Sequence, residues 1–134
     1  MKNIVVLVSG GGTNLQALID AEARGEIPNG KITCVIASNA EAYALTRAKQ
    51  NHIKTRVLVR KEYATIQSYS AAMVEALHEE NADLVIYAGF MTILDEQVTN
   101  AFPFKMMNVH PALIPSFCGK GFYGLRVHEA ALSY

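Results

Sequence analysis

Apolar and polar positions along this chain follow two alternating periods. Runs rich in β-branched residues occupy 3–9, 32–38 (ITCVIAS), 55–59 (TRVLV), 83–88 (DLVIYA) and 106–110 (MMNVH). Between them, apolar residues recur at three- and four-residue spacing over about 14–24, 41–51, 65–80 and 92–101, which predicts helices. The succession is strand, helix, strand throughout. Ile4 to Val8 and Leu84 to Ala88 carry no charge and almost no polar position, so both faces of those strands must be covered, as in a parallel sheet. With right-handed crossovers, the expected fold is an α/β domain built on an open, doubly wound, mostly parallel sheet. Helix 65–80 shows its period clearly. Ile66, Tyr69, Met73, Ala76 and Leu77 share a face, which leaves Glu75, Glu79 and Glu80 to solvent.

The pattern contains no repeat, linker or low-complexity stretch, and 134 residues suit one domain, spanning 1–134. A last helix is expected near Leu125 to Leu132. The sequence stops at Tyr134 without a C-terminal glycine or polar tail, so the domain is expected to be incomplete at that end. Charge narrows the function classes. Twelve basic and twelve acidic side chains give a formal net charge of +0, with 51% hydrophobic residues. Such a surface has no bulk attraction for nucleic acid or an anionic membrane, and any anion site must be built locally. No apolar run approaches the ~18 residues of a membrane span and no secretory leader opens the chain, so the expected location is cytoplasmic. Cys34 and Cys118 lack C-x-x-C spacing and read as reduced thiols without a functional role. His52, His78 and His128 lie among charged neighbours without metal-ligand spacing, and no metal is expected.

Chemistry enters at Ser9-Gly10-Gly11-Gly12-Thr13-Asn14, where the first strand breaks and the first helix begins. Three glycines permit positive φ and close backbone approach, and the amides opening a helix favour an anion. A dinucleotide fingerprint would need glycine where Leu15 stands, and the second strand ends in Ser38-Asn39 rather than in an acidic ribose ligand. A Walker A loop fails too: the only Gly-Lys, in Gly119-Lys120-Gly121, has no Ser or Thr after it and follows no strand. What remains is phosphate on a small molecule, held by the amides around Gly12 to Asn14 with the Thr13 hydroxyl and the Asn14 amide. The alternative is a tight turn with Thr13 or Asn14 as helix N-cap.

A second constellation is Met107-Asn108-Val109-His110-Pro111. In a strand, positions i and i+2 share a face, so Asn108 and His110 are expected side by side, with Pro111 ending the strand. In open α/β sheets, ligands bind beyond the carboxyl ends of the strands, where the glycine turn and Ala88-Gly89-Phe90-Met91 also belong. An amide donor beside an imidazole suits acyl transfer, in which charge builds on a carbonyl oxygen and a proton must be shuttled near neutral pH. The alternative for His110 is a hydrogen-bonded histidine at a strand end. No G-x-S-x-G elbow is present, and Cys118 has no evident activation.

The segments VVLVSGGGTNLQALID, DLVIYAGFMTIL and MNVHPALIPSFCGKGFYG, in this order and spacing, resemble the phosphoribosylglycinamide formyltransferases, folate-dependent enzymes of purine biosynthesis. The resemblance covers essentially the whole chain. The N-x-H-P-[AS]-L-[IL]-P signature is specific to transferases that use formyl-tetrahydrofolate, and S-G-x-G-[ST]-N-L narrows it. Methionyl-tRNA formyltransferase and formyltetrahydrofolate deformylase share N-x-H-P but carry different first loops. The resemblance implies that Gly12, Thr13 and Asn14 hold the phosphate of 5'-phosphoribosylglycinamide. It implies that Met91, Thr92, Ile93 and Leu94, with Asn108, meet the folate of the co-substrate 10-formyltetrahydrofolate. Asn108 and His110 are then the catalytic pair, stabilising the oxyanion formed when the glycinamide amine attacks the formyl carbon.

Three departures qualify it. The family's catalytic Asp belongs to a strand beyond Tyr134, so weak or no turnover is expected of this chain alone, because burial without a carboxylate lowers a histidine pKa. Ile66 stands where the family commonly has an Arg, a contact expected to be absent or moved to Arg60 or Lys61. Thr92 also stands where many members have Arg. Competing expectations are a binding-only domain for a phosphorylated ribose and a folate-dependent deformylase. An open sheet edge adds a homodimer to the expected partners.

Overall fold

A computed structural model describes residues 2–103 and 105–109. His110, Cys118, the Gly119–Gly121 stretch, the helix expected near 125–132 and His128 lie outside the described residues. The elements run β1 (Lys2–Val8), α1 (Thr13–Ala23), β2 (Gly30–Ala37), α2 (Tyr43–Gln50), β3 (Lys54–Val57), α3 (Ile66–Glu79), β4 (Leu84–Ala88), α4 (Glu96–Ala101) and β5 (Met106–Val109). The five strands order as β3-β2-β1-β4-β5, and every neighbouring pair is parallel. The chain winds outward from β1 to β3, then crosses back to place β4 on the other side of β1. That reversal opens a crevice between the carboxyl ends of β1 and β4.

The uniformly apolar strands are explained by a core on each face. Ile4, Val6 and Val8 point with Val35, Ala37 and Ile86 toward α1 and α2, where Leu15, Leu18, Ala44 and Ala48 cover them. Val5, Leu7, Cys34, Ile36 and Val85 point the other way, against Tyr69, Met73, Ala76 and Leu77 of α3 and Val98 of α4. Each fully buried Leu, Ile or Val contributes about 1.5–3 kcal/mol, so the two layers together hold the sheet. Cys34 is a free thiol in the second layer, and burial, with the Glu80 charge adding to it, pushes its pKa up to about 12. A thiol so placed is inert at neutral pH.

Three sequence expectations shift. The helix expected over 92–101 begins only at Glu96, because Asp95 caps it by accepting from the Gln97 amide at 3.0 Å. Its own amide donates to Ser70 Oγ at 2.9 Å, and this leaves 91–95 irregular. The helix expected over 41–51 spans Tyr43–Gln50, since Asn39 Oδ1 accepts from the Glu41 amide and holds the entry as a turn. Glu80 is not solvated: its side chain is 8% exposed and receives Lys54 Nζ at 2.8 Å and Arg56 Nη1 at 3.0 Å. The reason is tertiary. Lys54 and Arg56 pair in register with Cys34 and Ile36, so the edge strand turns its cations to the α3 face.

The Glu80 cluster has a pH signature. Burial alone would raise the Glu80 pKa, but hydrogen bonds from Lys54 and Arg56 and their charges outweigh it and hold the carboxyl below its ordinary value. A carboxylate with a depressed folded-state pKa stabilises the fold above its unfolded value and loses that contribution as pH falls through the folded one. Glu80→Gln should therefore destabilise by about 1 kcal/mol at pH 7, with the difference from wild type shrinking as pH falls below the ordinary carboxylate range and through the depressed folded value. Thermal unfolding of both proteins across pH 3–7 measures it.

Candidate functional site

At the carboxyl end of β1 the chain must leave the sheet and start α1 within four residues. Gly12 makes this possible as the helix N-cap, with φ 81 and no side-chain cap bond. Thr13 and Asn14, which the alternative reading made the cap, instead lie inside the first turn of the helix, where Thr13 is exposed and Asn14 is buried. Gly12 is also pressed against α2: a Cβ built there would fall 2.7 Å from both Cα and Cβ of Ala44. Glycine is thus needed twice, for its positive φ and for the close approach.

The loop carbonyls are all accounted for. Ser9 O accepts from Asn39 Nδ2 at 2.6 Å, Gly10 O from the Ala44 amide at 3.1 Å, Gly11 O from Arg47 Nε at 2.8 Å and Gly12 O from the Gln16 amide at 2.8 Å. A trans peptide carries its N–H opposite its C=O, and the chain has no cis bonds among the described residues. With Ser9 O bonded by Asn39 and Gly10 O and Gly11 O by α2, the amides that follow them, Gly10 to Gly12, turn away from those partners. Among the described residues these amides and that of Thr13 meet no acceptor. Free amides at a helix N-terminus are suited to an anion.

The neighbouring turn is tied to this loop. Ser9 Oγ accepts from the Met91 amide at 2.9 Å and shares a hydrogen bond with Ser38 Oγ at 2.8 Å, joining the ends of β1, β2 and β4. Gly89, with φ 73, starts the turn, and a Cβ there would lie 3.9 Å from Asn14 Nδ2. Met91 and Ile93 are 82% and 70% exposed, an unusual placement for large apolar side chains, while Leu94 packs against the second core. Behind them Tyr87 and Phe90 pack with ring centroids 5.8 Å apart. One strand further out, Asn108 stands in register with Tyr87, which itself pairs with Leu7. The backbone of β5 thereby brings Asn108 to the same end of the sheet as the glycine turn and 91–94.

Other expected residues are less well placed. Arg60 is engaged within its own turn, donating to Tyr63 O at 2.9 Å with its guanidinium 5.9 Å from the Tyr69 ring centroid, while Lys61 is exposed and Ile66 half-buried. His52 and His78 are exposed at helix ends away from the crevice. Among the described residues no group of three or more His, Cys, Asp or Glu could hold a metal ion, and no helix is long and apolar enough to cross a membrane. Ser38, Asn39 and Arg47 were not legible as site residues, and Ser9 was legible only as the first residue of the loop, because their bonds depend on β2, β4 and α2 lying beside the β1 turn.

Comparison with known proteins bears on this arrangement. The phosphoribosylglycinamide formyltransferase of Haemophilus influenzae is 44% identical over 123 residues, covering 92% of this chain and 58% of the relative. Its Escherichia coli counterpart is 35% identical over 130 residues, covering 97% of this chain and again 58% of the relative. The crystal structure of glycinamide ribonucleotide transformylase 1 from Symbiobacterium toebii superposes with a TM-score of 0.78 at 37% identity, covering 99% of this chain and 60% of that one. The chain thus spans somewhat under two thirds of the length of these relatives. The profile of the formyl transferase family matches residues 2–134, and with the parallel sheet and the glycine turn described above, the chain belongs to the formyl transferase family.

Proposed function

We propose that the protein is a phosphoribosylglycinamide formyltransferase, moving the formyl group of 10-formyltetrahydrofolate to the amine of 5'-phosphoribosylglycinamide in cytoplasmic purine biosynthesis. The observation that carries this reading is the bonding of the loop carbonyls Ser9 to Gly11 by Asn39 and α2 at the β1–β4 switch point, which leaves the amides of Gly10 to Thr13 without an acceptor among the described residues and available to an anion in the crevice. A phosphate there, held by Gly12, Thr13 and Asn14, would position the rest of the substrate along the carboxyl ends of β4 and β5. The exposed Met91 and Ile93, with Thr92 and Leu94 between and beyond them, fit a flat folate ring by offering apolar contact on an irregular segment outside the sheet ladder. The Met91 amide itself is already used by Ser9.

At the reacting carbonyl the roles follow from residue chemistry. Asn108 donates to the formyl oxygen as negative charge builds there, and His110 holds the proton that the departing nitrogen takes. The phosphate cradle and the 91–94 segment bring amine and formyl carbon together, converting a bimolecular encounter into a positioned one.

Formyl transfer by the protein tests the reading. Conversion of 10-formyltetrahydrofolate, weak for these 134 residues alone, that requires phosphoribosylglycinamide and disappears in His110→Ala is the expected result. Conversion without the amine would make it a deformylase. Binding of the phosphorylated substrate without any conversion would leave a binding domain.

A further inference from the structure

We propose that Arg47 is a positioning residue for the phosphate cradle: its guanidinium locks the Gly11–Gly12 peptide in the orientation that presents the Gly12 amide to the substrate. The proposal rests on the reading of the glycine turn as a phosphate site. Of the four loop carbonyls, Ser9 O and Gly11 O are held by side chains, and only Gly11 O is held by a charged one. The Arg47 guanidinium is fixed from several sides. Nε donates to Gly11 O at 2.8 Å, Nη1 to Gln16 Oε1 at 3.4 Å, and the Tyr43 ring lies beneath with its centroid 5.1 Å from Cζ. Its Cδ would stand 3.1 Å from a Cβ on Gly12, so the stem of the side chain lies along the loop itself.

The peptide it holds is one of the two in this loop flanked by glycine on both sides, and so one of the two freest to turn over. Gly11 and Gly12 both lack a Cβ, so rotating the plane between them meets little steric resistance. A flipped plane would aim Gly11 O, a partial negative charge, into the crevice where the Gly12 N–H now points. Binding an anion would then require reversing the flip. Arg47 opposes it with a charge-assisted bond at the oxygen, on the side facing α2 and away from the ligand. It acts through the loop rather than by touching substrate.

The experiment is titration of the chain with inorganic phosphate, followed by backbone amide NMR shifts, for wild type, Arg47→Ala and Arg47→Lys at low and high salt. The expected result is phosphate binding about tenfold weaker in Arg47→Ala, with the deficit persisting at high salt, and only partial recovery in Arg47→Lys. In formyl transfer the same deficit would appear in KM for the phosphorylated substrate, with kcat and the folate KM unchanged. A loss that salt abolishes, or that Lys fully restores, would mean that Arg47 contributes only its charge, and would overturn the proposal. Wild-type affinity in Arg47→Ala would overturn it as well. Absence of binding by wild type would overturn the phosphate reading and the proposal with it. A second measurement needs no ligand: a scalar coupling across the hydrogen bond from Arg47 Nε to the Gly11 carbonyl carbon is expected in the free protein. Its absence would refute the lock even if phosphate binds.

Discussion

Gly12→Val is expected to destabilise the fold by about 3 kcal/mol or more and to abolish phosphate binding together. Two independent penalties add at this position. The backbone has φ 81, and an L-residue in the left-handed region costs roughly 1–2 kcal/mol, more when β-branched. The new Cβ would also lie 2.7 Å from Ala44 Cα, a backbone atom of α2 that cannot swing aside. Relief requires α2 to move off the loop, and overpacking of this kind typically costs about 1–3 kcal/mol. Moving α2 breaks the Ala44 and Arg47 bonds to Gly10 O and Gly11 O, so the amides lose their orientation at the same time. Against a typical stability of about 5–15 kcal/mol the protein should still fold, with an unfolding midpoint lower by about 10 °C. Gly11→Ala is the control: a Cβ there meets nothing within 4 Å, and its stability should change by less than about 0.5 kcal/mol. Thermal melts of the two variants separate a specific need for glycine at 12 from a general sensitivity of the loop.

Asn108→Ala is expected to slow formyl transfer by about 100- to 1000-fold while leaving substrate affinity nearly unchanged. A donor that meets charge only as it develops contributes to the barrier and little to ground-state binding, and one such donor is worth roughly 3–4 kcal/mol. The register supports its location. Asn108 pairs with Tyr87 one residue before the end of β4, and Tyr87 pairs with Leu7 two residues before Ser9. Steady-state kinetics of the variant distinguish the roles. A fall in kcat with constant KM fits a transition-state donor, whereas a rise in KM with constant kcat would make Asn108 a binding contact only.

The strands were legible because burial on both faces leaves runs such as Ile4 to Val8 without a charged position, and no other arrangement of this chain explains that run as well. The glycine turn was legible for the same local reason: its glycines sit where a strand must become a helix. The second demand on Gly12 was hidden, since it comes from Ala44, thirty-two positions later on a helix whose alanines read only as good helix formers. Arg47 was hidden in the same way. In Thr46-Arg47-Ala48-Lys49 it looks like one more solvated cation, and only the placement of β2 beside β1 brings it to Gly11 O. Glu80 was misread because helical periodicity describes one helix at a time, while its partners stand on the edge strand β3. The late start of α4 did have a local signal. Asp95 followed by Glu96-Gln97 is a helix-opening pattern, and it outweighs the apolar spacing of Ile93 and Leu94.

Titration of the chain with 5'-phosphoribosylglycinamide and with the same molecule lacking its phosphate, followed at the backbone amides of Gly10 to Thr13, tests the phosphate cradle directly. The expected result is that the phosphorylated form shifts these four amides and binds at least about tenfold more tightly than the unphosphorylated one. Equal affinity for the two molecules, or shifts confined to residues away from the glycine turn, would contradict a phosphate site at this loop.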